Sequence, residues 1–539
     1  MRSPGISIAG VFVASFSLAV ILKAPANVRF SASGSGVEQL GTVHFPCSCA
    51  PTVQADIDKG VALLHSFQYE EARHAFGSAF EQDGQCAMAK WGSAIALYHP
   101  LWDFPTVATL AMGRQQIKRA QELGAHTDRE REYIAAAVAF YADDVRLSHK
   151  ERTQVYSAGL EKLYQGNPND VDAGAFYALS LVALAQEGDD DLANRKKAIA
   201  ILDPLFAKQP GNPGVAHYLI HAADTPELAL EGLPAARAYA KIAPDSSHAL
   251  HMPSHIFRRL GLWQEMIDSN MAAVAAAAQA TQAHRGDASY QFHPMDFLDY
   301  AYLQSGQESK ARRLVDEVKS VPGATAEDIA DHEAMFSARN AMELHRWTEA
   351  ASLAVPRERL IWQDTTYWAR AIGAARSGDA KRAHEDLAKL MEIVQARQKH
   401  DRDLGNEVAA GEAVDQSEAE GWVEFADGRP QEAVKKLKAA ADREDSERGE
   451  PFAGPAREML ADLLLELNEP SESLVEYRAV LKEYPNRFDA LYGAAHAAKS
   501  DGNLKAAQEY YAQLVTVSAP AADRPELREA REYVASNRN

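Results

Sequence analysis

A chain of 539 residues exceeds what one compact core can organise, so it comprises several domains or an array of small units in which each touches only its neighbours. Hydrophobic content of 46%, charged content of 24% and a mean hydropathy of −0.33 describe a folded polypeptide and exclude a disordered one. The formal charge of −20, from 76 acidic against 56 basic residues and with no long basic stripe, repels phosphate backbones and anionic lipid, so no nucleic-acid partner is expected.

In chain order, Met-Arg-Ser-Pro is followed by an apolar run from Ile6 to Leu22 and then by Lys23-Ala-Pro-Ala-Asn. A charged start, an apolar stretch and a small-residue cleavage signal near Ala26 predict a secretory leader over residues 1–26, and hence a periplasmic or secreted protein. The apolar run is at the lower limit of length for crossing a bilayer, so an uncleaved N-terminal anchor is the alternative; no other segment has the length to span. Residues 27–50 read as extended. The first repeats occupy 51–105, opening with "KGVALLHSFQYEEARHAFGSAFEQDG", where Gly60, Tyr69, Ala72, Phe76 and Ala79 fill the small and aromatic positions by which paired helices interlock. Residues 106–190 are divergent helical repeats, and Thr106–Tyr164 matches the pattern least. A histidine-rich group follows over 191–320, and C-terminal repeats with a capping helix, "ELREAREYV", complete 321–539.

Second helices of the repeats are expected around Ala198, Ala236, Met266, Ala311, Ala350, Ala383 and Ala433; Arg402–Ser417 and Arg443–Pro455 are polar loops or extended helix ends. Tyr477 and Tyr511 occupy the same position of consecutive repeats, with Pro485 at the turn and Gly502 between helices. Their separation, about 34 residues, is the period of the tetratricopeptide solenoid. The expected fold is therefore all-α, a right-handed α-α superhelix of roughly ten to twelve helical hairpins with no strands and no separate catalytic domain, so any chemistry must be built on the superhelix itself.

The same period organises the histidines. His217 and His221 are one helical turn apart, and His251 and His255 repeat that spacing one solenoid period later. Residues at i and i+4 share a helix face, so the four imidazoles should converge on one concave wall and bind a metal ion. Register then places Asp296 and Tyr300 of the following helix in the same two rows, and His248 with His293 in a third row one turn earlier. Seven of the 18 histidines fall between His217 and His293. Nitrogen ligands without thiolates suit zinc, copper, iron or nickel, and copper, iron or zinc is the expected ion. No H-E-x-x-H occurs, because Tyr218, Leu219 and Ile220 separate the first pair. Asp224, Glu227 and Asp296 are candidates to support the ligands from behind or to act as bases, and Tyr218 and Tyr300 are candidate hydrogen-bond donors or redox groups. His65 and His99, separated by the same period, lie near helix C-termini, where imidazolium complements the dipole; should the superhelix curl, they would close the site from the opposite side, with Trp91, Trp102 and Phe104 walling a pocket.

The first hairpin begins just after Cys49 and returns to the same end just before Cys86, so these two are expected to bridge in an oxidising compartment, leaving Cys47 free. Phosphate loops, G-x-S-x-G elbows and C-x-x-C pairs are absent from the sequence.

The segments "LGTVHFPCSCAP", "GVALLHSFQYEEA", "CAMAKWGSAIALYHPLW", "HYLIHAADTPELAL", "HALHMPSHIFRRLG" and "PNRFDALYGAAHAA" resemble a family of bacterial exported tetratricopeptide-repeat proteins over nearly all of the chain after the leader. The resemblance implies the repeat fold and export; members are known mostly as repeat proteins, some as outer-membrane transport components. The family has one cysteine where this chain has Cys47-Ser48-Cys49, matched to Cys49, which supports the pairing with Cys86. Before "GPAREML" the chain reads "EDSERGEPFA" where relatives carry a histidine and further prolines, so no role is carried over there.

The expectation is an exported solenoid holding a transition metal on concave-face histidines and acting as an oxidase or oxygenase on a small molecule. The rival classes are a scaffold whose groove takes a peptide or partner protein, and a metal carrier without turnover.

Overall fold

The computed structural model describes residues 38–539 apart from 103, 143–145, 187–190, 284–285, 357–359, 405–411, 448–450 and 538–539. The leader expected over 1–26 and the first part of the 27–50 segment lie outside the described residues. Among those described, every regular element is helical, with no strand, and consecutive helices pack on one another in pairs. No helix among them is long and apolar enough to cross a membrane.

The interlock works as the small and aromatic positions require. The ring of Phe76, fully buried, lies so close to two glycines that an added Cβ would meet it at 2.7 Å from Gly60 and 2.4 Å from Gly92. The aromatic of one helix therefore fills the space left by missing side chains on its neighbours. Tyr477 uses Gly493 in the same way, at 2.2 Å. The alanines and Met266 that mark the second helices are all buried, with Ala198, Ala311, Ala350, Ala383 and Ala433 at 0% exposure. In the divergent region the helices start on local signals. Thr127 with Glu130 and Ser148 with Glu151 form capping boxes that satisfy the first free N–H groups of Asp128–Phe140 and His149–Gly166. Of the stretches read as loops or extended helix ends, 402–404, 412–417 and 443–447 lie within helices Ala380–Leu404, Glu412–Ala426 and Pro430–Glu447, whereas 451–455 lies outside any helix. Glu526–Ser536 is the closing helix.

One expectation is overturned: repeats do not touch only their neighbours. Helix Gln54–His65 packs on Pro213–Ala223, and the Thr42 N–H donates to the Gly211 carbonyl at 2.8 Å. Helix Phe292–Gln304 packs on Phe488–Ser500; the Trp263 indole donates to the Asn486 carbonyl at 2.9 Å, and the Ala519 N–H to that of Ser305 at 2.9 Å. Buried Arg487 joins these distant repeats, reaching Glu343, Glu458 and the Tyr300 hydroxyl. Trp263 and Arg487 thus form packed interior between repeats far apart in sequence. Cys49 and Cys86 are bridged as the hairpin requires, and Cys47 is free with its Sγ 3.7 Å from the Gln54 side-chain oxygen.

Candidate metal centre

Three successive segments carry the histidines. Helix Pro213–Ala223 starts on Asn212, whose side chain accepts from the Val215 N–H, with Pro213 at its first position, where a missing N–H costs nothing. It presents His217 and His221 one turn apart. The next first helix comes in two pieces, Ser247–His251 and Pro253–Leu260, because Pro253 cannot continue the hydrogen-bond ladder. The break falls between His251 and His255 without scattering them: their Nε2 atoms are 3.2 Å apart. Helix Phe292–Gln304 brings His293 in its first turn.

These six imidazoles form two sets of three. In His217, His221 and His248, and again in His251, His255 and His293, the ligand atoms all lie within 4.8 Å of one another. Each set is one repeat's H-x-x-x-H pair plus the histidine that opens the next first helix. His248 Nε2 is 3.0 Å from His217 Nε2, and the His293 ring centroid is 4.4 Å from that of His251. The histidines of the expected third row thus complete the preceding pairs, a grouping that simple row alignment does not give. Cys49, Asp83 and Cys86 also cluster, but the disulfide uses both thiols.

Hydrogen bonds fix which nitrogen of several rings points inward. The His217 Nδ1–H donates to the His65 carbonyl at 2.6 Å. The Asn270 amide donates to the Met266 carbonyl at 2.8 Å, so its oxygen faces His251 Nδ1, 2.7 Å away, and takes the proton there. His255 Nδ1 lies 3.0 Å from Asp224 Oδ2, while Arg259 donates to the other oxygen of that carboxylate at 2.8 Å. With protons held on Nδ1, the Nε2 lone pairs of His251 and His255 confront each other at 3.2 Å, an arrangement that a shared proton or cation would satisfy. The buried Nε2 of His221 has no hydrogen-bond partner among the described residues. Outer hydrogen bonds that orient imidazoles for a metal have this form. Burial, then neighbouring imidazoles, holds His217, His221, His248 and His251 well below the usual imidazole range and so keeps them neutral, as ligands must be. Burial alone would raise Asp224; Arg259 and His255 instead hold it well below the carboxylate range.

The other sequence candidates are placed differently. Asp296 is paired with Arg339 and lies close to His293 of the second set. Burial opposes its ionisation, but Arg339 and then His293 outweigh that and hold its pKa below the usual carboxylate range. Tyr300 lies away from the histidines, its hydroxyl 3.2 Å from Arg487. The Tyr218 hydroxyl is 3.1 Å from His65 Nδ1, and His65 Nε2 is 3.0 Å from Asp172. Both rings are buried in that chain, so His65 contributes its carbonyl to the centre and not its imidazole. His99 stacks on Tyr69 in a loop, and Trp91 is core. The first repeat does reach the site, through Phe67 and not through the rings of His65 and His99. Phe67 covers the first set, with ring centroids 4.4, 5.5 and 5.6 Å from His217, His221 and His248. Phe297 covers the second at 4.7, 4.7 and 5.2 Å from His251, His255 and His293. Trp102, 43% exposed, stands 6.0 Å from His221 at the edge, and His293 is itself exposed. Phe67, Phe297 and Asn270 escape sequence reasoning; the periodic spacing of His65 from His99 is the one sequence signal that points to the first repeat's involvement.

The chain is similar to solved helical-repeat proteins. No protein-family model and no curated protein matches it. The human IFIT1 dimer with PPP-AAAA matches at 13% identity over 86% of this chain and 89% of that one, with a TM-score of 0.35. A monomeric mutant of IFIT1 with Gppp-AAAA matches at 13% over 88% and 98%, TM-score 0.37. The P58(IPK) TPR domain matches at 13% over 84% and 99%, TM-score 0.22. Likeness at this level concerns the helical-repeat architecture and carries nothing about ligands.

Proposed function

We propose that this chain is an exported metal protein that holds a transition metal, copper, iron or zinc, on His217, His221, His248, His251, His255 and His293, and that it acts as an oxidoreductase on a small molecule. The observation that carries the reading is the set of inward-facing Nε2 atoms whose opposite ring nitrogens are anchored by the His65 carbonyl, Asn270 and Asp224. An all-nitrogen donor set suits copper, iron or zinc, of which zinc is redox-inert, so that oxidation would call for copper or iron. Oxidation is favoured over hydrolysis because the nearby groups that would serve as bases are engaged: Asp224 with His255 and Arg259, Asp296 with Arg339, Tyr218 with His65. A small molecule is favoured over a peptide because Phe67 and Phe297 cover the rings, and access is confined to the margin near Trp102 and His293.

Metal analysis of protein purified without a histidine tag tests this. The expected result is stoichiometric metal that is lost in the His251→Ala/His255→Ala double variant while the far-UV helical signal persists. Protein that takes up no metal would be a repeat scaffold, and metal without turnover of any small reductant would make it a carrier.

A further inference from the structure

We propose that the two histidine triads hold two separate metal ions, one each, as a binuclear centre whose ions share a single bridging ligand. This rests on the metal-binding reading above and adds the number of ions, their proximity and the class of ligand that joins them.

Equivalence of the triads is the first argument. Each has the same three histidines in the same order, an H-x-x-x-H pair and the histidine that opens the next first helix, under a phenylalanine that comes from the first repeat in one case, Phe67, and from the helix of His293 in the other, Phe297. If tandem repeats generate the same three-nitrogen socket twice, a chemistry that fills one fills the other. The second argument is geometric. A tetrahedral ion with metal–nitrogen bonds of about 2.0–2.1 Å needs its nitrogens roughly 3.3 Å apart. The contacts seen, 3.0 Å for His217 with His248 and 3.2 Å for His251 with His255, are near that edge, and the six nitrogens divide into two compact sets instead of one.

Proximity is the third. Rings of the two sets are direct neighbours, with centroids 6.3 Å apart for both His221 with His255 and His248 with His251. Rings in such contact set the two triads side by side, the adjacency that paired-ion sites require, their ions sitting about 3.5–4 Å apart. Three protein nitrogens leave each ion at least one open position. Two open positions facing each other across so short a gap select a small bridging anion or diatomic molecule, of which hydroxide and azide are the simplest. Neutral imidazoles leave the charge of two divalent ions uncompensated inside the fold, and an anionic bridge offsets part of it.

The test uses full-length, untagged protein, stripped and reloaded with Cu(II), with His221→Ala and His251→Ala as single-triad variants and His221→Gln and His251→Gln as volume-conserving controls; far-UV circular dichroism verifies folding. Expected are two copper ions per chain in the wild type and one in each variant. The electron paramagnetic resonance signal of the loaded wild type should be much weaker than two isolated Cu(II) ions give, should respond to azide, and should recover to one full ion in each variant. One ion per chain, abolished by either variant, would replace the pair by a single shared site. Two ions at full, uncoupled intensity would deny the bridge. Wild type that takes up no copper, zinc or iron would instead remove the metal-binding reading itself.

Discussion

Asn270 and Asp224 touch no ion in this scheme, yet they decide whether His251 and His255 can. Each holds a proton on the far ring nitrogen, so Asn270→Ala and Asp224→Asn are each expected to weaken metal affinity by about 10–100-fold. Competition titration against a chelator measures this; unchanged affinity in both would show that the rings are oriented by packing alone. The histidines were legible in the sequence because two periods, that of the helical turn and that of the repeat, act together on one residue type. The anchors were not, because Asn270 lies on a different helix and the His65 carbonyl in a different part of the chain, and neither leaves a local trace. Tyr218 misled for a simple reason. Consecutive helical residues diverge by about 100°, so the neighbour of an inward-facing histidine faces another element, here the first repeat and its His65. Tyr300 does fall one turn after Asp296, but Arg487 captures it from a repeat that no local pattern connects to it.

At the scale of elements, the joint between helices Gln54–His65 and Pro213–Ala223 depends on Gly214. A Cβ there would meet the His65 ring nitrogen at 2.2 Å, and that ring is pinned between Tyr218 and Asp172. Gly214→Ala is therefore expected to destabilise the protein by about 1–3 kcal/mol and, by moving the His65 carbonyl off His217, to weaken metal binding as well. Thermal unfolding and a metal titration on the same sample measure both; a change in stability alone would separate the joint from the centre. Helix pairing was readable because buried alanines and glycines recur where aromatic rings interlock, as at Gly60, Gly92 and Phe76. The break at Pro253 was readable too, but its consequence was not, since only packing decides whether a kink aligns or disperses His251 and His255.

For the whole molecule, the contacts between remote repeats set the expected response to mutation and pH. Arg487 bonds two buried carboxyl groups, Glu343 and Glu458, and Arg487→Met would leave both without that partner, at a cost of about 3–5 kcal/mol in denaturant unfolding. Burial pushes Glu458 up to about 8 against the pull of Arg487. A folded value above the unfolded one means that the carboxyl contributes its full stability below about pH 4 and loses it as pH rises through about 8. The melting temperature should therefore fall towards pH 8, and Glu458→Gln should flatten that part of the profile; a parallel profile in the variant would assign the effect elsewhere. Reducing the Cys49–Cys86 bridge, whose cysteines are 37 apart in sequence, should cost roughly 4 kcal/mol on the chain-entropy model.

The docking of Gln54–His65 on Pro213–Ala223 also sets a timetable for synthesis. A simple repeat array can acquire structure in the order its units leave the ribosome, since each needs only the one before it. Here the first repeat cannot finish packing until Ala223 has emerged, and the Arg487 junction must wait for nearly the entire chain. Non-local closure of this kind slows folding and leaves apolar faces such as that of Phe67 and Trp102 uncovered in the interval. The docking that buries most of the histidine cluster in the finished protein therefore creates a requirement for shielding while it is being made, a requirement that a purely neighbour-to-neighbour array of the same length would not have.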